Sequence, residues 1–130
     1  MTIEAVVKWI DHADPPPAPD AVGPFMLAMT AGIGPRSEDS ADNFQIVVCN
    51  AAWLGERAKA GSAYWPRGHL IVERFDEGHI TDIVQNLVDV FARSKDWPSF
   101  AERLNRYLLW EFEDLDDFQG DVVPPKPKTH

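Results

Sequence analysis

Apolar and polar residues alternate over the first part of the chain, and from Ile80 onward the apolar ones recur at helical spacing. Ile3 to Ile10 predicts a strand with Ile3, Ala5, Val7 and Trp9 on one face and Glu4, Val6, Lys8 and Ile10 on the other. The run from Asp14 to Asp20, with Pro15, Pro16, Pro17 and Pro19, ends it, because proline lacks the donor that a ladder or a helix interior requires. Phe25 to Ile33 reads as a second strand, with Phe25, Leu27, Met29, Ala31 and Ile33 facing together and Gly32, Gly34 and Pro35 closing it. Asn43 to Cys49 reads as a third, with Phe44, Ile46 and Val48 on one side and Gln45, Val47 and Cys49 on the other. Asn50 is then a credible N-cap for a short helix reaching to about Lys59. After a loop holding Gly61, Tyr64, Trp65, Pro66 and Gly68, the segment His69 to Phe75 predicts a fourth strand, and Asp76-Glu77-Gly78 its turn.

The C-terminal part is helical in period. Ile80, Ile83, Val84, Leu87, Val88 and Phe91 form one stripe, with Asp82 near its start and Arg93 and Lys95 near its end, as the helix dipole favours. A second helix is expected to begin near Pro98 and to stack Phe100, Ala101, Leu104, Tyr107 and Leu108, leaving Glu102, Arg103 and Arg106 in water. Strands first and two helices last imply an α+β fold. The expected sheet is mainly antiparallel, with four strands or slightly more; two C-terminal helices cover one face, and a short helix follows the third strand. Residues 1–121 are expected to form a single domain, and the Pro/Lys-rich residues 122–130 a disordered tail.

Composition narrows the class. With 130 residues, 45% hydrophobic and 25% charged, the chain reads as one globular unit with a single core. Cys49 is the one cysteine, so an internal disulfide is impossible and a reducing compartment fits. The N-terminus carries neither a basic leader nor an apolar stretch of signal-peptide length, so a cytoplasmic protein is expected. The most apolar stretch, Phe25 to Gly34, is about half of the roughly 20 residues that span a bilayer, and no membrane segment is expected. The net charge of −9, from 21 acidic and 12 basic side chains, repels nucleic acid and anionic lipid. It keeps the chain in solution and, beyond that, suits a cationic partner.

Little in the sequence resembles catalytic machinery. There is no Gly-x-Ser-x-Gly elbow, and Cys49 lies in an apolar strand where it reads as a small buried hydrophobe. Gly32-Ile33-Gly34 opens like a dinucleotide loop but lacks the third glycine and the following helix. His12, His69, His79 and His130 lie at no metal-ligand spacing; His69 and His79 bracket a strand and its turn and are expected on the surface. No catalytic, cofactor-binding or metal site is therefore assigned. The densest charge run is Glu111, Glu113, Asp114, Asp116, Asp117 and Asp121, with no cation before Lys126. It reads either as a solvated helix end or as an electrostatic docking surface.

Three segments together carry a family resemblance: Asp42 to Leu54 (DNFQIVVCNAAWL), His69 to Asp76 (HLIVERFD) and Tyr107 to Asp114 (YLLWEFED). A strand ending in Cys and followed by a Trp-Leu helix, with a Trp-Glu-Phe-Glu-Asp close some sixty residues later, resembles the immunity protein 8 family of bacterial polymorphic toxin systems. The resemblance covers residues 3 to 118. It implies an α+β fold and a protein that acts on a cognate toxin, usually encoded beside it and delivered between competing cells; the partner would be the toxin's C-terminal domain. The expected mode is an acidic face covering a basic cleft, such as that of a nuclease, with Tyr64, Trp65, Glu113, Asp114, Asp116 and Asp117 as candidate contacts. The alternative expectation is an effector chaperone or adaptor that escorts a secreted protein without inhibiting it.

Overall fold

The computed structural model describes residues 2–112. The elements run β1 (Ala5–Asp11), β2 (Met26–Pro35), β3 (Asp42–Cys49), α1 (Ala51–Gly61), β4 (His69–Ile71), α2 (Glu77–Phe91), α3 (Trp97–Leu104) and β5 (Leu109–Trp110). They form an α+β fold around one five-stranded sheet in the order β1-β2-β3-β4, with β5 also pairing with β3. The sheet matches in part the expectation of four strands or slightly more, mainly antiparallel: it has five strands and three antiparallel pairings, but the fourth pairing is parallel, so the sheet is mixed. β1, β2 and β5 pair antiparallel, but Val47, Val48 and Cys49 of β3 run parallel to His69, Leu70 and Ile71 of β4. A parallel neighbour needs a crossover, and α1 with its flanking loops is that crossover.

β2 and β3 alternate as their sequence predicts. Leu27, Met29, Ala31 and Ile33 are buried with Phe44, Ile46 and Val48, and the same cluster takes in Ile80, Val84, Val88 and Phe91 of α2 and Phe100, Ala101 and Leu104 of α3. The two late helices therefore seal one face of the sheet. β1 departs from its predicted alternation. Val7 pairs with Ile33, Trp9 with Gly32 and Ile10 with Ala31, so an irregularity at Lys8 shifts the phase. Ile10 joins the core, and Trp9 moves to the face away from the helices. Gly32 makes room for it, since a Cβ there would run into the Trp9 indole.

β4 is shorter than expected. It pairs with the last residues of β3, and past Ile71 it has no strand to follow because β3 has ended and α1 begun. Val72 and Phe75 are still buried, on irregular backbone. Asp76-Glu77-Gly78, expected as a turn, opens α2 instead: Asp76 is the N-cap and accepts the His79 N–H at 3.1 Å. Asn50 caps α1 as predicted, accepting the Trp53 N–H at 3.0 Å. Pro98 lies in the first turn of α3, but that helix stops at Leu104. Leu108 is buried as expected, whereas Tyr107 is exposed. Arg103 does not point to water. Its guanidinium donates to the Arg93 carbonyl at 2.9 Å and to Ser94 Oγ at 3.1 Å and lies 4.6 Å from the Phe91 ring centre. A cation from α3 thus answers the negative end of α2.

β1 is an edge strand, and Gln85 of α2 completes it. The Gln85 side chain accepts the Val7 N–H at 2.9 Å and donates to the Ala5 carbonyl at 3.3 Å, as a neighbouring strand would. Gln85→Ala is expected to lower stability by about 1–2 kcal/mol, because it strands both backbone groups. Chemical denaturation would show this as a lower midpoint at unchanged slope, and an unchanged midpoint would contradict it.

Candidate partner-docking site

Two polar and aromatic side-chain clusters lie towards the two ends of β3. The first surrounds Asp42, at the start of β3. One of its carboxylate oxygens, Oδ2, accepts the indole N–H of Trp97 at 2.8 Å and that of Trp110 at 3.1 Å. Trp97 opens α3 and Trp110 lies in β5, so a single acceptor ties both to β3. Trp110 also stacks on Phe44, with ring centres 6.4 Å apart, and meets Phe112 edge-on at 5.4 Å. The Asn43 N–H donates to Glu111 Oε1 at 2.9 Å, the Glu111 N–H donates to the Asn43 carbonyl at 3.0 Å, and Asn105 Oδ1 accepts the Trp110 N–H at 2.8 Å. The first and last of the three segments singled out in the sequence are thus neighbours in space.

The second cluster holds Tyr64. Its hydroxyl lies 2.9 Å from His69 Nε2, and the Trp53 ring contacts both, edge-on to Tyr64 and stacked on His69. The Arg57 guanidinium lies 5.4 Å from the Tyr64 ring centre. His69 Nδ1 is 2.8 Å from the Arg67 carbonyl, an acceptor only, so Nδ1 carries the proton and Nε2 accepts from Tyr64 in the neutral ring. Burial is the larger influence on this imidazole and holds its pKa below the ordinary 6.5, against the opposing effect of the Arg67 carbonyl. His69 is half-buried, which corrects its assignment to the surface; His79 is exposed as expected.

Of the six predicted contact residues, Tyr64 is half-buried in this cluster and Trp65, next to it, is 68% exposed. Glu113, Asp114, Asp116 and Asp117 lie outside the described residues, as do Asp121 and the tail 122–130. Sequence reasoning did not find Arg57 or the environment of His69. The available signal was Trp53, Arg57 and Tyr64 flanking a strand that begins with histidine, but α1 buries no residue and so gave no amphipathic stripe to read. Cys49 is fully buried, and burial pushes its thiol pKa up, away from nucleophilic behaviour. Gly32 and Gly34 lie inside β2, where close approach of Trp9 and of the Ser40 backbone leaves no space for a side chain. Among the described residues no group of three His, Cys, Asp or Glu could hold a metal, and no helix is long and apolar enough to cross a membrane.

Comparison with known proteins places the chain among immunity proteins, whose family implies a protein partner, a toxin. The matching family is Immunity protein 8, over residues 6–115, and the chain belongs to it. No curated protein and no solved structure matches the chain.

Two predictions follow from the clusters. Asp42→Ala removes the acceptor shared by two indoles and is expected to cost about 1.5–3 kcal/mol, with tryptophan emission shifting to the red before global unfolding. Emission and stability equal to the parent's would rule out that role. His69 sets a pH dependence. Its unfolded pKa lies near 6.5 and its folded pKa lower, so the unfolded chain takes up the proton first and stability declines as pH falls below about 6.5. His69→Gln should flatten that part of the stability–pH curve, and an unaltered slope would contradict the assignment.

Proposed function

We propose that this chain is a cytoplasmic immunity protein that binds and neutralises a cognate toxin delivered between competing cells, and that it performs no chemistry of its own. The observation that carries this reading is the family match over residues 6–115. In this reading residues 1–121 are one immunity domain, and its partner is the C-terminal domain of the toxin. The net charge of −9 supports docking on a basic domain such as a nuclease, whose cleft is cationic because its substrate is a polyanion. Opposite charge steers encounter and raises the association rate by orders of magnitude at low salt. Affinity then rests on a few desolvated anchors, for which Tyr64 and the exposed Trp65 are the aromatic candidates and Glu113, Asp114, Asp116 and Asp117 the acidic ones.

The test is co-expression with the C-terminal domain of the large secreted protein encoded beside this chain. That domain should kill cells alone and spare them when this chain is present, and the purified chain should abolish the activity of the already folded domain. An escort would raise the domain's yield or delivery and leave its activity intact, which would overturn neutralisation. Replacing Glu113, Asp114, Asp116 and Asp117 together with alanine should slow association, most strongly at low salt. An unchanged rate would remove those four from the docking surface.

A further inference from the structure

The face of the sheet opposite α2 and α3 is partly exposed, and charge is unevenly spread along the chain that forms it. Across β2 and β3 it carries Met26 beside Cys49, Ala28 beside Val47, Thr30 beside Gln45 and Gly32 beside Asn43, with Trp9 and Asp11 added from β1 and Ile71 from β4. Trp9 is 40% exposed, Met26 41% and Ile71 55%, and the Ala28 and Gln45 positions are open as well. Cys49 is buried on this face and His69 is covered by Trp53 of α1, but neither α2 nor α3 covers Trp9, Met26 or Ile71, and exposed apolar groups gathered on one face can serve an interaction site. The chain goes to some length to put Trp9 there. The irregularity at Lys8 turns it away from the core, and Gly32 lets the indole lie flat on the backbone. Tryptophan held in place against a rigid sheet is the side-chain type that most often anchors a protein interface.

Charge is distributed unevenly between the two halves of the chain. Residues 1–50 carry six exposed carboxylates, Glu4, Asp11, Asp14, Asp20, Glu38 and Asp39, against Lys8 and Arg36; the seventh, Asp42, is occupied by its two indoles. The Lys8 ammonium is itself taken up by the Glu38 and Ser40 carbonyls. Residues 51–112, which include all three helices, carry nine acidic and eight basic side chains and are close to neutral. The negative potential of the described residues therefore gathers on the part of the chain that forms β1, β2 and β3. Beside Ala28 the open face sinks into a hollow of about 470 Å³ lined by Asp11, His12, Ala13, Met29, Thr30 and Gln45; His12 lies 3.8 Å from Glu77, and the Asp11 carboxylate with the Thr30 and Gln45 oxygens offers acceptors to a basic side chain. A second copy of this chain would bring like charge against like, and nucleic acid would be repelled.

We propose that this open face, centred on Trp9, Ala28 and Met26 and edged by Asp11, Glu38 and Asp39, is where a cationic protein domain docks, with an arginine or lysine of that domain entering the hollow beside Asp11. The inference rests on the immunity reading and names the surface that would serve it.

The probe is the purified C-terminal domain that the co-expression test identifies as toxic, with binding to the full-length chain measured by calorimetry at two salt concentrations. Ala28→Arg and Met26→Arg alter exposed positions and should leave the fold intact, while Trp9→Ala removes the anchor. Each is expected to weaken binding by at least about thirtyfold. Asp11→Lys should weaken binding and flatten its salt dependence. Val90→Arg, on the exposed side of α2, should bind like the parent. Folded Ala28→Arg and Met26→Arg chains that bind within about threefold of the parent and still protect cells would overturn the docking face and leave neutralisation standing. Loss of binding in Val90→Arg alone would instead move the interface to the helical side. A parent chain that neither binds nor protects would remove the immunity reading and this surface with it.

Discussion

A single carboxylate oxygen holds the end of the described chain to its sheet. Asp42 Oδ2 accepts two indole N–H groups from residues far away in sequence, Trp97 and Trp110, and so fixes the entry of α3 and the strand that follows it. β5 is two residues long and could not hold its place by ladder bonds alone. It is held by Asp42, by the reciprocal Asn43–Glu111 bonds, by Asn105 and by the stacking of Trp110 on Phe44. Charge-assisted bonds of this kind are about twice as strong as neutral ones, and here the acceptor is partly shielded by the rings it binds.

The two faces of the sheet differ in burial. One is covered by α2 and α3 and holds the core. On the other, the phase shift in β1 and the small residues of β2 leave Trp9, Met26 and Ala28 accessible. Gln85 closes the outer edge of β1, so the strand that presents Trp9 is bonded on both sides, to β2 on one and to α2 on the other. An anchor on a rigid element loses little conformational freedom when a partner arrives, which favours tight and rapid association. Along the chain, residues 1–50 are acidic and residues 51–112, which include the helices, are nearly balanced.

α1 is the least embedded element. It buries no residue, and its attachment runs through the Asn50 cap and through Trp53 against Tyr64 and His69. Asn50 does more than cap, since it also accepts the Phe25 N–H at 3.1 Å and donates to the Gly23 carbonyl at 2.8 Å, joining the start of β2 to the end of β3. Elements with few buried contacts open first, so α1 is expected to open more readily than the central strands.

What could be read from the sequence was local. Leu27, Met29, Ala31 and Ile33 declared a strand face through their period of two, Ile80, Val84, Val88 and Phe91 a helix stripe through theirs, and Asn50 a cap through its chemistry. The segments around Asp42, His69 and Trp110 were legible as belonging together, though not why. Tertiary structure decided the rest, because the partners were distant in the chain. The parallel direction of β4, its end at Ile71 and the existence of β5 depend on what β3 offers for pairing. The side on which Trp9 emerges depends on a one-residue phase shift that no alternation pattern records. The surroundings of His69 and Arg103 depend on aromatic rings and helix ends brought to them by the fold. Periodicity reports which side of an element is apolar; only packing determines what that side meets.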